Sequence, residues 1–523
     1  MKTDLHQGKL QGSLFNAMLI SSGLALSKIL GFIRETVIAA FFGASYLVDA
    51  FLVAEMVPQL LFSAIGSSLT TSVIPLVTEY KERKGFDSVL ALLNSITTIM
   101  LGICVVLIGL GWVFAEIIVQ LVAPGFSGAA YDLAVKLTYV MFPLIIFLGL
   151  SGLGSGILQS QKRFFYPAFI GIPYNVVIIT CLILSARQWG IAGLAAGTVL
   201  AVAAQWLFQI PELRRCGFNF SPRVEWKHSG LKQMLKLIIP VTVSTGVGQI
   251  NLLVNRMLAS GLLEGSIAAL NYANKLNILA HGVIGFAVAR AIYPEMSEAA
   301  VIADHDKFQK SLYRSINSLL LVLLPCAAGM MILREPLVRL VYQRGAFDDQ
   351  AAGLTTAALL FYALGMPFTS VREIVLQAFY ALQDTLTPMK ISMATVALNV
   401  VLNLVLVKYL AHGGLALGSS IATIAGFLIL LWQLRKKLGR IKASFMLISG
   451  LKIGLAALLM SGVVYCELNW LKPLLDRGPV SSLLLLITCA VTGLVVYGVF
   501  IKALRVEEFD IFHASLRRWF NKE

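Results

Sequence analysis

Long stretches of apolar residues, separated by short polar segments, run from one end of the chain to the other. A helix that is apolar on all sides lies in a large core or crosses a membrane, and one crossing needs about 20 such residues. Stretches of this length recur throughout, so the pattern predicts an all-α polytopic membrane protein with about fourteen transmembrane helices. The approximate limits of the predicted spans are 13–43, 46–78, 88–122, 131–160, 165–185, 190–211, 231–262, 266–297, 310–342, 350–382, 387–409, 414–434, 445–468 and 480–503.

Composition supports this class and excludes several others. Of 523 residues, 58% are hydrophobic and 13% are charged, whereas soluble chains are about 25% charged. The net charge of +15 comes from basic residues in short loops, which indicates membrane topology rather than nucleic-acid binding. The six cysteines form no CxxC pair, so neither a zinc site nor a disulfide framework is indicated. Walker A, HExxH and nucleophile-elbow motifs are absent from the sequence, which argues against an enzyme.

The loops predict the orientation of the chain. Lys and Arg residues number 27 in the segments on one side of the predicted spans and 5 on the other. The positive-inside rule places the basic side in the cytoplasm, so both termini are expected there. An even number of spans is then required, and fourteen fits. We expect a multi-pass protein of the bacterial cytoplasmic membrane.

An internal repeat divides the predicted helices into two lobes. Three segments recur in the same order, at spacings of 219, 224 and 221 residues. The matched segments are Val53-Ala54 to Glu79 with Tyr272-Ala273 to Glu298, Pro143 and Leu158-Gln159 with Pro367 and Leu382-Gln383, and Gly193-Leu194-Ala195 with Gly414-Leu415-Ala416. Repeated halves are common in transporters. We predict an N-lobe of helices 1–6 over 1–212, a C-lobe of helices 7–12 over 213–440, and a C-terminal helix pair with a cytoplasmic tail over 441–523.

Ionisable residues gather in the leading helix pair of each predicted lobe. A charge at bilayer depth costs at least a few kcal/mol, so it usually lines a cavity or has a partner. A mostly cationic cavity between the lobes would suit an anionic substrate such as a diphosphate. The candidate substrate-binding residues are Lys28, Arg34, Asp49, Asn255, Arg256 and Lys275. The alternative interpretation is structural pairing.

Two details qualify this prediction. Lys28 and Arg34 are six residues apart, about 240° around an ideal helix, so they would share a cavity only if the helix bends, which Gly31 could permit. Arg334, Glu335 and Arg339 fall near the outer end of the ninth span and are expected at the membrane interface.

Several motifs, in order along the chain, resemble one known family. The segments are Ser27-Lys28-Ile29-Leu30-Gly31-Phe32-Ile33-Arg34-Glu35, Phe42-Gly43-Ala44, Asp49-Ala50-Phe51, Tyr272-Ala273-Asn274-Lys275-Leu276, Gly282-Val283-Ile284-Gly285, Arg344-Gly345-Ala346-Phe347, Ala378-Phe379-Tyr380-Ala381-Leu382-Gln383-Asp384-Thr385 and Thr387-Pro388. Together they are similar to the MurJ/MviN lipid II flippases of the multidrug/oligosaccharidyl-lipid/polysaccharide exporter superfamily. The resemblance implies fourteen helices in two six-helix lobes plus a C-terminal pair. It also implies flipping of undecaprenyl-diphosphate-linked peptidoglycan precursor for cell wall biosynthesis.

The resemblance implies roles for individual residues as well. Arg34 and Asp49 match a family arginine and aspartate, whereas Lys28 and Lys275 stand where many members have arginine. A lysine keeps the charge but loses the bidentate fork. A cation that many members carry shortly after Pro58 is missing, because the chain reads Gln59-Leu60-Leu61-Phe62 there. Another polyprenyl-linked oligosaccharide, of exopolysaccharide or teichuronic type, therefore stays open as the substrate.

Other classes of function fit the residues less well. A cation-coupled drug exporter would have an acidic cavity, and a membrane-embedded transferase would need clustered acidic metal ligands. A non-transporting scaffold of cell wall synthesis leaves the intramembrane charges unexplained. No cofactor is expected, and the membrane potential or an ion gradient would supply the energy. The expected partners are the lipid-linked substrate, membrane lipids and cell wall synthesis proteins.

Overall fold

A computed structural model describes residues 2–226, 228–301, 305–439, 443–475, 478–506 and 508–509. These residues form helices, with no β-strand among them. In chain order the helices are α1 (Lys2–Phe42), α2 (Tyr46–Lys84), α3 (Phe86–Val113), α4 (Ala115–Val122), α5 (Gly128–Met141), α6 (Leu144–Ser160), α7 (Phe165–Phe169), α8 (Gly171–Arg215), α9 (Ser229–Ser260), α10 (Ser266–Val301), α11 (His305–Ile332), α12 (Arg334–Tyr342), α13 (Asp349–Ala381), α14 (Leu386–Leu438), α15 (Ala443–Leu475) and α16 (Pro479–Ala503).

The predicted class of an all-α polytopic membrane protein is confirmed. Within the described residues, seven helices are long and apolar enough to cross a membrane, and the bent pair α5–α6 would make an eighth. Two of the seven, 51 and 53 residues long, far exceed the roughly 20 residues of one crossing. Each contains a break, at Gly190 (φ 53°) in α8 and at Ala411 (φ 46°) in α14. The break at Ala411 falls between two predicted spans, and the break at Gly190 falls on the first residue of the predicted span 190–211. The count of fourteen stays a prediction.

The backbone confirms the internal repeat. Among the described residues, eight of the thirteen with positive φ form four pairs that are 221 or 222 positions apart, and two of these pairs include residues other than glycine. Such residues rarely adopt positive φ, so the coincidence is specific. The pairs are Gly43 with Gly265, Lys162 with Gln383, Gly190 with Ala411, and Gly217 with Gly439.

One turn corrects the register of the repeat. After α6, the Arg163 N–H donates to the Leu158 carbonyl, and after α13 the Asp384 N–H donates to that of Phe379. These are the bonds of a Schellman turn with its left-handed residue at Lys162 or Gln383. The equivalence is therefore 221 residues. The offset of 224 predicted from Leu-Gln pairs is wrong by three residues, nearly one helical turn. Leu158-Gln159 lies within the last turn of α6, whereas Leu382-Gln383 follows the end of α13, so the two pairs are not equivalent.

The short helices α4 and α12 are also equivalent. Each follows a long apolar helix directly, and the two align at an offset of 219 residues. Glu116 and Val119 of α4 match Glu335 and Val338 of α12. The charged residues predicted at the outer end of the ninth span thus lie on a separate short helix.

The chain divides into two compact units, Met1–Ala268 and Ala269–Glu523. In the first unit α2 is central and packs against α5, α6 and α9. Helix α9 belongs to the first unit because it packs against α2. The prediction instead ends the N-lobe at residue 212 and assigns α9 to the C-lobe. The lobe boundaries stay a prediction. In the second unit, α13 packs against α11 and α14, and the pair α15–α16 packs against α11.

Candidate functional site

Arg34 lies inside the first unit, close to residues of helix α8. Its Nη2 is 2.6 Å from Oε1 of Glu35, and the two side chains are only 14% and 6% exposed. The guanidinium carbon lies 5.2 Å from the centre of the Tyr174 ring, a cation–π distance. Nε of Arg34 is buried and has no hydrogen-bond partner among the described residues. Arg34 is thus a fixed cation with a donor left over for a ligand or water.

Lys28 has a different environment from Arg34 on the same helix. The side chain of Lys28 is exposed, whereas that of Arg34 is mostly buried. Helix α1 continues without interruption past Gly31, and an ideal Cβ on Gly31 would lie 3.7 Å from Oδ1 of Asn175 on α8. Gly31 therefore faces α8. The difference in exposure agrees with the six-residue spacing, which puts the two cations on different sides of an ideal helix.

Asp49 connects the first turn of α2 to the start of α10. Its Oδ2 accepts from the Gly265 N–H and its Oδ1 from the Ala268 N–H, both at 2.7 Å. The reverse connection comes from Glu264, whose Oε1 accepts from the Tyr46 N–H at 3.1 Å. A carboxylate near a helix N-terminus satisfies free amides and complements the helix dipole. Asp49 thus accepts from the start of α10, and Glu264, just before α10, accepts from the start of α2.

The backbone approaches closely around this connection. Gly265 has φ of 82°, and a Cβ there would lie 2.1 Å from the Ala44 carbonyl oxygen. The Gly125 N–H donates to Oγ of Ser260 at 3.0 Å. A cavity of about 360 Å³ lies beside these groups and includes Asp49 in its lining. The connection is therefore packed backbone against backbone, with little room for side chains.

The remaining candidates are distributed over both units. In the first unit, Nη1 of Arg256 contacts the Ile267 carbonyl at 3.5 Å, and Asn255 is partly buried. Lys275 is partly buried in the second unit. A role of all six candidates in substrate binding stays a prediction.

Several residues of the site were missed by sequence reasoning. Tyr174 and Asn175 follow Pro173 within an apolar stretch, and Glu264 stands in a short turn. The polar pair inside a span was a usable signal, because buried polar groups need partners. Glu264 carried no such signal, because acidic residues are ordinary in exposed turns. Within the described residues there is no group of three or more His, Cys, Asp or Glu side chains placed to hold a metal.

The fold is that of a class of membrane transporters. A solved structure entitled "Inward-facing conformation of a multidrug resistance MATE family transporter of the MOP superfamily" matches with a TM-score of 0.66, at 15% identity, over 80% of this chain and 97% of that chain. A closer likeness, with a TM-score of 0.79 and 26% identity, covers 93% of this chain and 99% of the structure entitled "Lipid II flippase MurJ, inward closed conformation".

Sequence comparison assigns the family. The sequence model of the family described as Lipid II flippase MurJ matches residues 38–487. The Lipid II flippase MurJ of Burkholderia cenocepacia is 31% identical over 93% of this chain and 96% of its own length. The Probable lipid II flippase MurJ of Buchnera aphidicola subsp. Schizaphis graminum is 32% identical over 80% and 83%. The chain belongs to the MurJ family, a family of multi-pass transporters of the bacterial inner membrane, which confirms the predicted resemblance.

Proposed function

We propose that this protein translocates lipid II, the undecaprenyl-diphosphate-linked peptidoglycan precursor, from the cytoplasmic to the outer leaflet by alternating access. Membership of the MurJ family supports the proposal, as does the extent of the similarity to the Burkholderia cenocepacia flippase. Peptidoglycan assembly outside the membrane needs this lipid-linked unit delivered there, so the protein serves cell wall biosynthesis.

The buried cation Arg34 is the observation that carries the proposal. Burying a guanidinium is costly unless its donors are satisfied. Glu35 engages Nη2, and Nε has no partner among the described residues. A diphosphate oxygen is a strong acceptor for such a donor. Glu35 and the Tyr174 ring hold the guanidinium in place before a ligand arrives.

The other candidates divide into two roles. Arg256, Asn255 and Lys275 supply further charge and hydrogen bonds to the headgroup, whereas Lys28, exposed on a different side of α1 from Arg34, is left out of this contact. Asp49 instead holds the starts of α2 and α10 together, because both of its carboxylate oxygens already accept backbone N–H groups.

The membrane potential or an ion gradient supplies the energy. Both termini lie in the cytoplasm, and cell wall synthesis proteins are partners of the cycle. Carrying a negatively charged headgroup outward, away from the negative interior, is favourable by about 2.3 kcal/mol per charge per 100 mV. The potential alone therefore favours the proposed direction.

The test is depletion of the protein in its host, followed by labelling of lipid II in each leaflet. We expect lipid II to accumulate in the inner leaflet. Wild type should restore export, and Arg34→Ala should fail at equal membrane abundance. Arg83→Ala is the matched control, because the Arg83 side chain is 75% exposed and pairs only with Glu79 among the described residues; it should restore export.

Normal lipid II export after depletion, in a host without a second family member, would overturn the proposal. Accumulation of an exopolysaccharide intermediate would then indicate a different polyprenyl-linked substrate. Restoration of export by Arg34→Ala would instead contradict the cationic headgroup site. Loss of cell wall synthesis with normal leaflet distribution would indicate a scaffold.

A further inference from the structure

A second polar cavity lies in the second unit, at the end of its helices opposite the basic loops. It has a volume of about 220 Å³ and is lined by residues of α11, α12, α13, α15 and α16. Tyr465, Asn469 and Lys472 of α15 are spaced at four and three residues, so they share one helix face. This cavity is separate from the surroundings of Arg34, which belong to the first unit.

Cations dominate the lining of this cavity. Arg334, Arg339 and Lys472 line it together with a single carboxylate, Glu335. Both oxygens of Glu335 are engaged, because Oε1 accepts from Nε of Arg339 at 3.2 Å and Oε2 from Nζ of Lys472 at 3.0 Å. The hydrogen bond from Lys472 lowers the pKa of Glu335, which therefore stays ionised. Arg339 also pairs with Asp349 at 2.6 Å, so two carboxylates face three cations and one positive charge is left over.

Arg334 carries the excess positive charge. No carboxylate lies within ion-pair distance of Arg334 among the described residues, and its Nη1 donates to the Met331 carbonyl. Arg334 is also the first residue of α12, whose N-cap residue Leu333 provides no side-chain cap. The positive end of the helix dipole therefore adds to the guanidinium charge. The combination favours an anion, and an arginine fork matches a phosphate in particular.

The equivalent helix of the first unit has none of these cations. Ala115 and Gln120 of α4 stand where α12 has Arg334 and Arg339, although Glu116 matches Glu335. Lys472 comes from α15, which lies outside the repeat. The fold of the repeat therefore does not require the cations, and they arise where the C-terminal pair joins the second unit.

Apolar side chains are exposed on both helices of the C-terminal pair, and one of them, Tyr465, also lines the cavity. Leu458 and Tyr465 of α15 and Leu483 and Leu494 of α16 are exposed. In a membrane, such side chains face acyl chains, and the ends of the spans meet the layer of phosphate headgroups. A ligand that carries a phosphate above two acyl chains fits both the charge and the surface.

We propose that this cavity binds the phosphate of an anionic glycerophospholipid, held by Arg334 and Lys472 with the acyl chains along α15 and α16. On the orientation proposed above, the lipid belongs to the outer leaflet. Bound there, it balances the charge of Arg334 and contacts both α12 and the C-terminal pair. It is a site for a structural lipid, distinct from the proposed transport of lipid II.

The test is native mass spectrometry of the full chain, titrated with phosphatidylglycerol or with zwitterionic phosphatidylcholine. We expect phosphatidylglycerol to bind more tightly. Arg334→Gln combined with Lys472→Gln should weaken its binding about tenfold or more, because two charge-assisted contacts are lost. Arg334→Gln alone keeps both ion pairs of Glu335 and should weaken binding without disturbing the fold. Arg344→Gln is the control, because Arg344 is exposed at the same end outside the cavity and should bind as wild type.

Equal binding of the two phospholipids, or wild-type binding by Arg334→Gln and by the double variant, would overturn the proposal. Undecaprenyl phosphate serves as a competitor. If it displaces phosphatidylglycerol from wild type and its own binding depends on Arg334, the cavity belongs to the carrier lipid and the proposal is wrong. Arg34→Ala should bind phosphatidylglycerol normally, which separates this result from any failure of the lipid II assignment.

Discussion

The two units pack an equivalent turn, the one that follows α4 or α12, with different groups. In the first unit, the turn after α4 is packed by backbone, since a Cβ on Gly125 would lie 2.3 Å from Cα of Gly261. In the second unit, the turn after α12 is packed by three aromatic rings, Tyr272, Tyr342 and Phe347, whose centres are 5.1–5.8 Å apart. The duplicated helices have the same order in both units, but the groups that pack around this turn differ between the units. Substitutions at the two turns should therefore act through different mechanisms.

The largest expected effect is at the aromatic turn. Tyr342 is fully buried, and its hydroxyl donates to the Tyr272 carbonyl at 3.2 Å. Tyr342→Ala should lower the free energy of unfolding by roughly 3–5 kcal/mol, because it leaves a cavity between two rings. Unfolding of the purified protein by denaturant in detergent measures the change. Tyr409→Ala, at a side chain 80% exposed, should change little; similar losses in both variants would contradict ring packing.

An intermediate effect is expected at the glycine turn. Gly125→Ala adds a methyl group where Gly261 already lies, so the backbones must separate at a cost of roughly 1–3 kcal/mol. Gly128 is the control within the same turn. Its φ of 53° disfavours alanine by about 1–2 kcal/mol, but open space surrounds it. Combining each alanine substitution with Ser260→Ala in a double-mutant cycle separates steric contact at Gly125 from backbone strain at Gly128. Coupling should appear for Gly125, whose N–H donates to Ser260, and equal coupling for Gly128 would refute the close approach.

The smallest expected effect compares the two Schellman turns on the basic side. In both turns, the residue after the left-handed position forms an ion pair. That residue is a cation in the first unit and an anion in the second. Arg163 lies 3.5 Å from Glu212, whereas Asp384 accepts from Lys437 at 2.8 Å. The hydrogen bond from Lys437, with those from Thr387, lowers the pKa of Asp384 to about 2.

This pKa predicts a pH dependence of stability. A carboxyl group whose pKa is lowered by folding stabilises the protein above its unfolded pKa of about 4 and loses that contribution as the pH falls toward 2. Wild type should therefore lose slightly more stability than Asp384→Asn between pH 4 and pH 2, by less than about 1 kcal/mol, because Lys437 is 44% exposed. Thermal unfolding at several pH values measures the difference. Lys437→Gln should also reduce the loss of stability between pH 4 and pH 2. If stability falls equally with pH in all three proteins, the ion pair is contradicted.

Much of the fold was predictable because membrane spans are encoded locally. The breaks at Gly190 and Ala411 lie at the predicted boundaries between spans, although only one of the two residues is a glycine. The register of the repeat failed at Lys162 and Gln383, because short Leu-Gln matches cannot distinguish positions one helical turn apart. The positions of Arg34 and Asp49 were likewise visible as charges within apolar stretches. Their contacts were not, since Tyr174 and Gly265 lie 140 and 216 residues further along the chain.

The sequence by itself determined that the chain is a polytopic helical membrane protein, built from a duplicated unit and a C-terminal pair. It could do so because hydropathy, loop charge and repeat spacing are properties of the chain that need no knowledge of contacts. The tertiary structure alone decided that Asp49 accepts the amides at the start of α10, that α9 groups with the first unit, and that Arg334 and Lys472 line one cavity. These facts depend on which helix faces meet, and residues far apart in the chain supply the two sides of each contact.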